Sequence, residues 1–186
     1  MNNPLLRKPS GLVAATVMIW AVVTGHPTTA SAAEGPSEFS KPVIDIGIVV
    51  GDLGKSTAFY TNAIGFKEVP GFKVTAERAT EIGLTDNQPA DIRVFVLAEG
   101  NLATRIKLMS FPNAPGKKPD QKFINSTLGM SYLTLFVTDL NASLKRLEKE
   151  RVKLLGKTPT DLGGGNWIAV FQDPDGNFIE LVGPRK

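Results

Sequence analysis

One segment of this chain occurs twice. IDIGIVVGDLGKSTAFYTNAIGF, residues 44–66, and MSYLTLFVTDLNASLKRLEKERVKLL, residues 130–155, align at a constant offset of 87. Asp139-Leu140 falls on Asp52-Leu53, Ser143 on Ser56 and Leu147 on Tyr60. A repeat of this kind governs every residue-level reading, because both copies are read as the same supersecondary unit. Each copy opens with an apolar run rich in β-branched residues, which predicts a strand over 43–50. An aspartate that can cap a helix follows. In the first copy the helix is expected over 53–64, with Gly65 as its stop.

The remaining elements repeat in order. Residues 66–74 read as a strand broken by Pro70 and Gly71, and TAERATEIGL, 75–84, as a short helix or ordered loop. Strands are expected over 91–98 and 103–111, joined at Glu99, Gly100 and Asn101. PNAPGKKPDQ, 112–121, is a linker by composition. After it come strands near 152–155, over 166–172 and over 177–182. The last two are joined by Asp173-Pro174-Asp175-Gly176, a turn sequence in which Pro presets φ and Gly accepts a positive one. The expected fold class is α+β, as two tandem βαβββ modules, 42–111 and 128–184, within a domain spanning 42–186.

The amino terminus reads as a secretory signal. Arg7 and Lys8 precede the apolar stretch LVAATVMIWAVVTG, 12–25, which is too short to span a bilayer comfortably. Ala30 and Ala32 then offer a small-residue cleavage site. We expect residues 1–32 to be removed, 33–41 to form a flexible tail, and the protein to be exported, periplasmic or secreted; a retained anchor is the alternative. Cleavage removes two of the 21 basic residues and none of the 18 acidic ones, leaving a net charge of +1. That balance argues against a nucleic-acid partner, and after cleavage no membrane partner is expected. Cleavage also removes the single histidine, His26, and the chain has no cysteine. Imidazole- or thiolate-based metal sites and Ser-His-Asp or Cys-His mechanisms are therefore not available to the mature chain.

VVGDLGKSTAFYTNAIGF and FQDPDGNFIEL resemble the opening and closing signatures of the vicinal oxygen chelate superfamily, which includes glyoxalase I, extradiol dioxygenases and the fosfomycin and bleomycin resistance proteins. The resemblance covers residues 44–184. It implies two curled four-stranded sheets forming one cup, with helices packed outside. It speaks less to the reaction, because this fold hosts many chemistries.

Strand alternation nominates the lining of that cup. Val43, Asp45, Gly47 and Val49 share one face of the first strand; Met130, Tyr132, Thr134 and Phe136 share the matching face of the repeat. Arg105, Lys107 and Met109, then Phe178, Glu180 and Val182, do so in the module-closing strands. The family's usual metal positions fall on Asp45, Lys107, Tyr132 and Glu180. Only Asp45 and Glu180 are conventional ligands, and a protonated lysine has no lone pair to offer a metal. Lys107 thus reads as a fixed positive charge replacing the metal, flanked by Asp45 and Glu180 with the Tyr132 hydroxyl nearby. The competing reading makes the same charges a structural knot between modules. Arg105 and Arg93 are read as strand-face residues or anion contacts, and Trp167 and Phe171 as packing or ligand-stacking aromatics.

The leading functional expectation is an exported, metal-free cup that binds a small organic molecule through Asp45, Lys107, Tyr132, Glu180 and Arg105, without a cofactor. The alternative is a lactoylglutathione-lyase-like lyase or isomerase with Glu180 and Tyr132 as catalytic groups. A further variant places Mg²⁺, Mn²⁺, Ni²⁺ or Zn²⁺ on Asp45 and Glu180. A homodimer that exchanges modules is the alternative to a cup built within one chain.

Overall fold

The computed structural model describes residues 38–100 and 102–186, so the expected signal segment and most of the expected tail lie outside the described residues. Phe39–Lys186 form one compact unit. Its first half runs β1 Asp45–Val49, α1 Leu53–Ala58, a π-helical turn Phe59–Ile64, β2 Lys67–Val74, α2 Ala76–Glu81, β3 Ala90–Val96 and β4 Arg105–Met109. Its second half runs β5 Tyr132–Phe136, α3 Leu140–Lys149, β6 Thr160–Gly163, β7 Asn166–Gln172 and β8 Phe178–Pro184. The strands make two open four-stranded sheets, ordered β1-β4-β3-β2 and β5-β8-β7-β6. In each, the first strand runs parallel to the last and the other pairings are antiparallel. This is the expected α+β fold of two βαβββ modules.

Local chemistry sets the element ends. Asp52 accepts a hydrogen bond from the Lys55 N–H at 2.9 Å, and Asp139 accepts one from Asn141 N–H at 2.9 Å. Each satisfies a donor that the first helical turn leaves free. The first helix does not stay α-helical to its end: the Gly65 and Phe66 N–H groups both reach the Tyr60 carbonyl. The wider turn closes at Gly65 with φ of 98°, a conformation that glycine adopts without a Cβ penalty.

One hydrophobic core serves both modules. Val50, Tyr60, Phe66, Phe95, Ile106 and Leu108 from the first pack with Leu140, Leu147, Ala169, Phe171, Ile179 and Leu181 from the second. Complete burial of a side chain such as Phe171 or Leu181 contributes roughly 1.5–3 kcal/mol. One chain thus supplies both halves of the core.

One expectation needs correction. Residues 152–155 form only an isolated bridge, Leu154 to Phe171, and the fourth strand of the second sheet is β6. It pairs with β7 through Gly163, Gly164 and Gly165, whose φ values of 81°, 62° and 82° make them a hairpin turn. The strand was hidden because Thr160-Asp161-Leu162 carries little β-branched character. The irregular segment that includes the expected linker runs from residue 110 to 131. It docks on the second module, where Gln172 Nε2 donates to the Gln121 carbonyl at 2.7 Å and Gln121 Nε2 donates to Asn177 at 3.0 Å.

Candidate functional site

Strand register arranges the cup-side face of the first sheet, on which Ile92, Val94 and Val96 are buried, into rows. Asp45, Arg105, Val96 and Lys67 form one; Gly47, Lys107, Val94 and Val69 the next; Val49, Met109, Ile92 and Phe72 the third. Phe72 reaches this face because of a bulge. Pro70 and Gly71 together stand opposite the single residue Arg93, one residue more than the partner strand, so the alternation slips by one. Gly71 is required there, since a Cβ would overlap the Ile92 carbonyl. The Lys107 ammonium then lies 5.9 Å from the Phe72 ring centroid. Lys67, Val69, Phe72, Val94, Val96, Arg105 and Lys107 of this face line a hollow of about 460 Å³ with Ala98, Glu99 and Gly100.

The charges within the hollow are mostly paired. Lys107 Nζ lies 2.8 Å from Asp45 Oδ2, and Lys67 Nζ lies 2.7 Å from Glu99 Oε1. With side-chain exposures of 28% and 36%, the Lys107–Asp45 pair contributes about 0–1 kcal/mol. It is therefore a weak structural tie, and both partners belong to the first module. Glu180 is on the other sheet, where it accepts the Thr134 hydroxyl at 2.7 Å. It forms no ion pair with Lys107, which corrects the expectation of a lysine flanked by two carboxylates. Tyr132 is 49% exposed, and its hydroxyl makes no hydrogen bond with a described residue. β1 and β5 border a separate hollow of about 240 Å³ that contains Gly47, Met130 and Tyr132.

The inter-module knot lies elsewhere. The buried Asp173 carboxylate accepts the Tyr60 hydroxyl at 3.0 Å, the Asn177 side-chain amide at 2.8 Å, and the Asp175 and Asn177 N–H groups at 2.9 and 2.8 Å. Asp175 accepts Gly51 N–H at 3.1 Å and the Ser56 hydroxyl at 3.3 Å. The turn of the second module thus grips the β1–α1 corner of the first. Burial, and then the Asp173 carboxylate, push the Tyr60 phenol well above its usual range. Sequence reasoning assigned both aspartates to turn formation alone.

The other nominated residues separate by sheet face. Arg93 forms a bidentate pair with Glu68 at 2.7 Å on the face opposite Lys107. Phe171 is fully buried, and Trp167 packs against the same core with the Arg185 guanidinium 5.0 Å from its ring. Neither aromatic faces the cup. Arg105 does, and it has no ionic or hydrogen-bonding partner among the described residues. Sequence reasoning missed Phe72 and Lys67; the Pro-Gly pair inside a strand was the available signal for a bulge.

The four positions that the resemblance assigns to a metal, Asp45, Lys107, Tyr132 and Glu180, fit a divalent ion poorly. An ion accepted by Asp45 would lie close to the Lys107 ammonium, where a doubly charged ion at about 4 Å meets roughly 8 kcal/mol of repulsion at an effective dielectric of about 20. Glu180, the second oxygen donor, is engaged by Thr134 on the other sheet.

The family model of the Glyoxalase/Bleomycin resistance protein/Dioxygenase superfamily matches residues 43–181. Among solved structures, a glyoxalase family protein from Bacillus cereus is similar with a TM-score of 0.65 and 21% identity, covering 81% of this chain and 99% of that one. A glyoxylase/bleomycin resistance protein/dioxygenase domain from Frankia gives 0.55 and 22%, over 81% and 93%. The trypanothione-dependent glyoxalase I of Leishmania major gives 0.53 and 21%, over 77% and 87%. At these identities the likeness establishes fold. No curated protein sequence matches the chain.

Proposed function

The chain belongs to the glyoxalase/bleomycin resistance protein/dioxygenase superfamily, and from that premise we propose that it is an exported domain whose cup binds a small organic molecule without a metal. The observation that carries this reading is the 2.8 Å pair between Lys107 and Asp45 at two of the family's metal positions. A fixed ammonium supplies the positive charge that a metal supplies elsewhere, and it can hold a polar group of a ligand by a charge-assisted hydrogen bond. The apolar row of Val49, Met109, Ile92 and Phe72 gives the same surface a place for a ligand's hydrophobic part. Export rests on the amino-terminal signal.

A lyase or isomerase is the second reading. Glu180 favours it, being a partly buried carboxylate on the cup face with no ion-pair partner among the described residues. Such a group can serve as a base where one paired to lysine is disfavoured.

Elemental analysis tests the proposal on protein purified without chelators or a histidine tag, with amino-terminal sequencing of the exported form. The expected results are no stoichiometric metal, no thermal stabilisation by Mg²⁺, Mn²⁺, Ni²⁺ or Zn²⁺, and a mature terminus at Ala33. Near-stoichiometric metal would sink the metal-free reading and direct attention to carboxylate-metal lyase chemistry.

A further inference from the structure

We infer that the first-module half of the cup takes an amphipathic organic anion, a carboxylate on an apolar body, with Arg105 as its anchor. The inference rests on the small-molecule reading above and specifies the ligand's chemical class. The charge inventory of this face drives it. Lys107 is paired with Asp45 and Lys67 with Glu99, which leaves the Arg105 guanidinium as the strand cation of this face without a counter-ion among the described residues. Its side chain is partly buried. A guanidinium has five donors in a fixed fork and no acceptor, so in a recess it calls for a planar, bidentate acceptor.

Position adds a second argument. Arg105 borders the hollow of about 460 Å³ and also an adjoining one of about 370 Å³ lined by Lys41, Val43 and Asp45. Register puts Asp45 directly opposite Arg105, yet the Asp45 carboxylate turns to Lys107. The residue best placed to neutralise Arg105 is thus already engaged. An incoming carboxylate would bind Arg105 with the Lys107 ammonium one row further along.

Beyond the head group the lining is apolar except for Lys107, which stands in the middle row with its ammonium 5.9 Å from the Phe72 ring. From the Arg105 row the face continues through Val94 and Val69 to Met109, Ile92 and Phe72. Four residues of strand span roughly 13 Å, enough for a carboxylate at one end and a ring or short chain at the other. Gly47 leaves the β1 position of the middle row, beside Lys107, without a side chain.

The test uses the full chain and three probes with one apolar body: 4-phenylbutyrate, 4-phenylbutyramide and 4-phenylbutylamine. Binding is followed by calorimetry and by the side-chain Nε–H resonance of Arg105. The expected result is saturable binding of the carboxylate, at least tenfold tighter than the amide, with the amine not binding and the Arg105 resonance shifting. Arg105→Gln is expected to weaken the carboxylate by ten- to a hundredfold and to leave the amide unchanged; Arg93→Gln, on the opposite face, is the control and leaves both unchanged. Equal binding of carboxylate and amide, insensitive to Arg105→Gln, would overturn the anion anchor while leaving a metal-free cup. No binding of any probe also overturns it. Carboxylate binding that needs an added divalent metal and survives Arg105→Gln would overturn the underlying reading as well.

Discussion

The two modules share a fold and divide the chemistry. On the first sheet the equivalent rows carry Asp45, Arg105 and Lys107; on the second they carry Tyr132, Phe178 and Glu180. The first half-cup is thus rich in cations, while the second is apolar with one acid held by Thr134. Their docking is unequal too. The second module's Asp173 and Asp175 grip the first module's Tyr60, Ser56 and Gly51, and its Arg146 Nη2 donates to the first module's Ile64 carbonyl at 3.1 Å. A repeat preserves backbone and core because burial demands the same pattern twice; it leaves the exposed faces free to diverge.

Asp173→Ala strikes the unequal docking hardest. It strands the Tyr60 hydroxyl and two N–H groups, so unfolding in urea should show a loss of about 3–4 kcal/mol. A change below about 1 kcal/mol would mean the core alone holds the modules together. Lys107→Glu attacks the difference between half-cups. It sets a second carboxylate beside Asp45, and the variant should gain divalent-metal binding, worth about 2.7 kcal/mol of stabilisation at a hundredfold excess over Kd. Thermal unfolding with and without Mn²⁺ decides this, and an indifferent variant argues against lysine as the metal's replacement.

Tyr60→Phe removes one bond to a buried carboxylate and should cost about 1.5–3 kcal/mol at neutral pH. The cost should depend on pH in a defined direction. The folded-state phenol is held protonated above its usual value near 10. The unfolded chain releases this proton above about pH 10 and the folded one does not, so stability from this group is complete below pH 10 and falls as pH rises. Wild-type and variant stabilities should therefore converge in alkaline solution; parallel curves would contradict the assignment. Smallest is Thr134→Val, which removes the partner of Glu180 at about 1 kcal/mol. Chemical denaturation that shows no difference would place that carboxylate in contact with water already.

Much of this was legible in the sequence. The 87-residue offset, the capping aspartates and the strand alternation place the two modules and their helix starts, and put Asp45 and Lys107 on one face. What escaped has physical reasons. Phe72 is displaced by a bulge, which periodicity cannot register. β6 forms because the glycine turn folds it onto β7, not through propensity of its own. Asp173 and Asp175 satisfy local turn chemistry so well that nothing in the sequence pointed to partners more than a hundred residues away. Strand alternation put Lys107 and Glu180 on one face, but the separation between the two sheets is a tertiary property.

The segment 110–131, which joins β4 to β5, has a consequence in terms of symmetry. Two identical chains meeting about a twofold axis must show every residue twice, so a cation gained by one half is imposed on the other. Covalent connection fixes the ratio at one to one and lifts that condition. The halves can then specialise, and a bowl that would otherwise read both ends of a guest alike can tell head from tail.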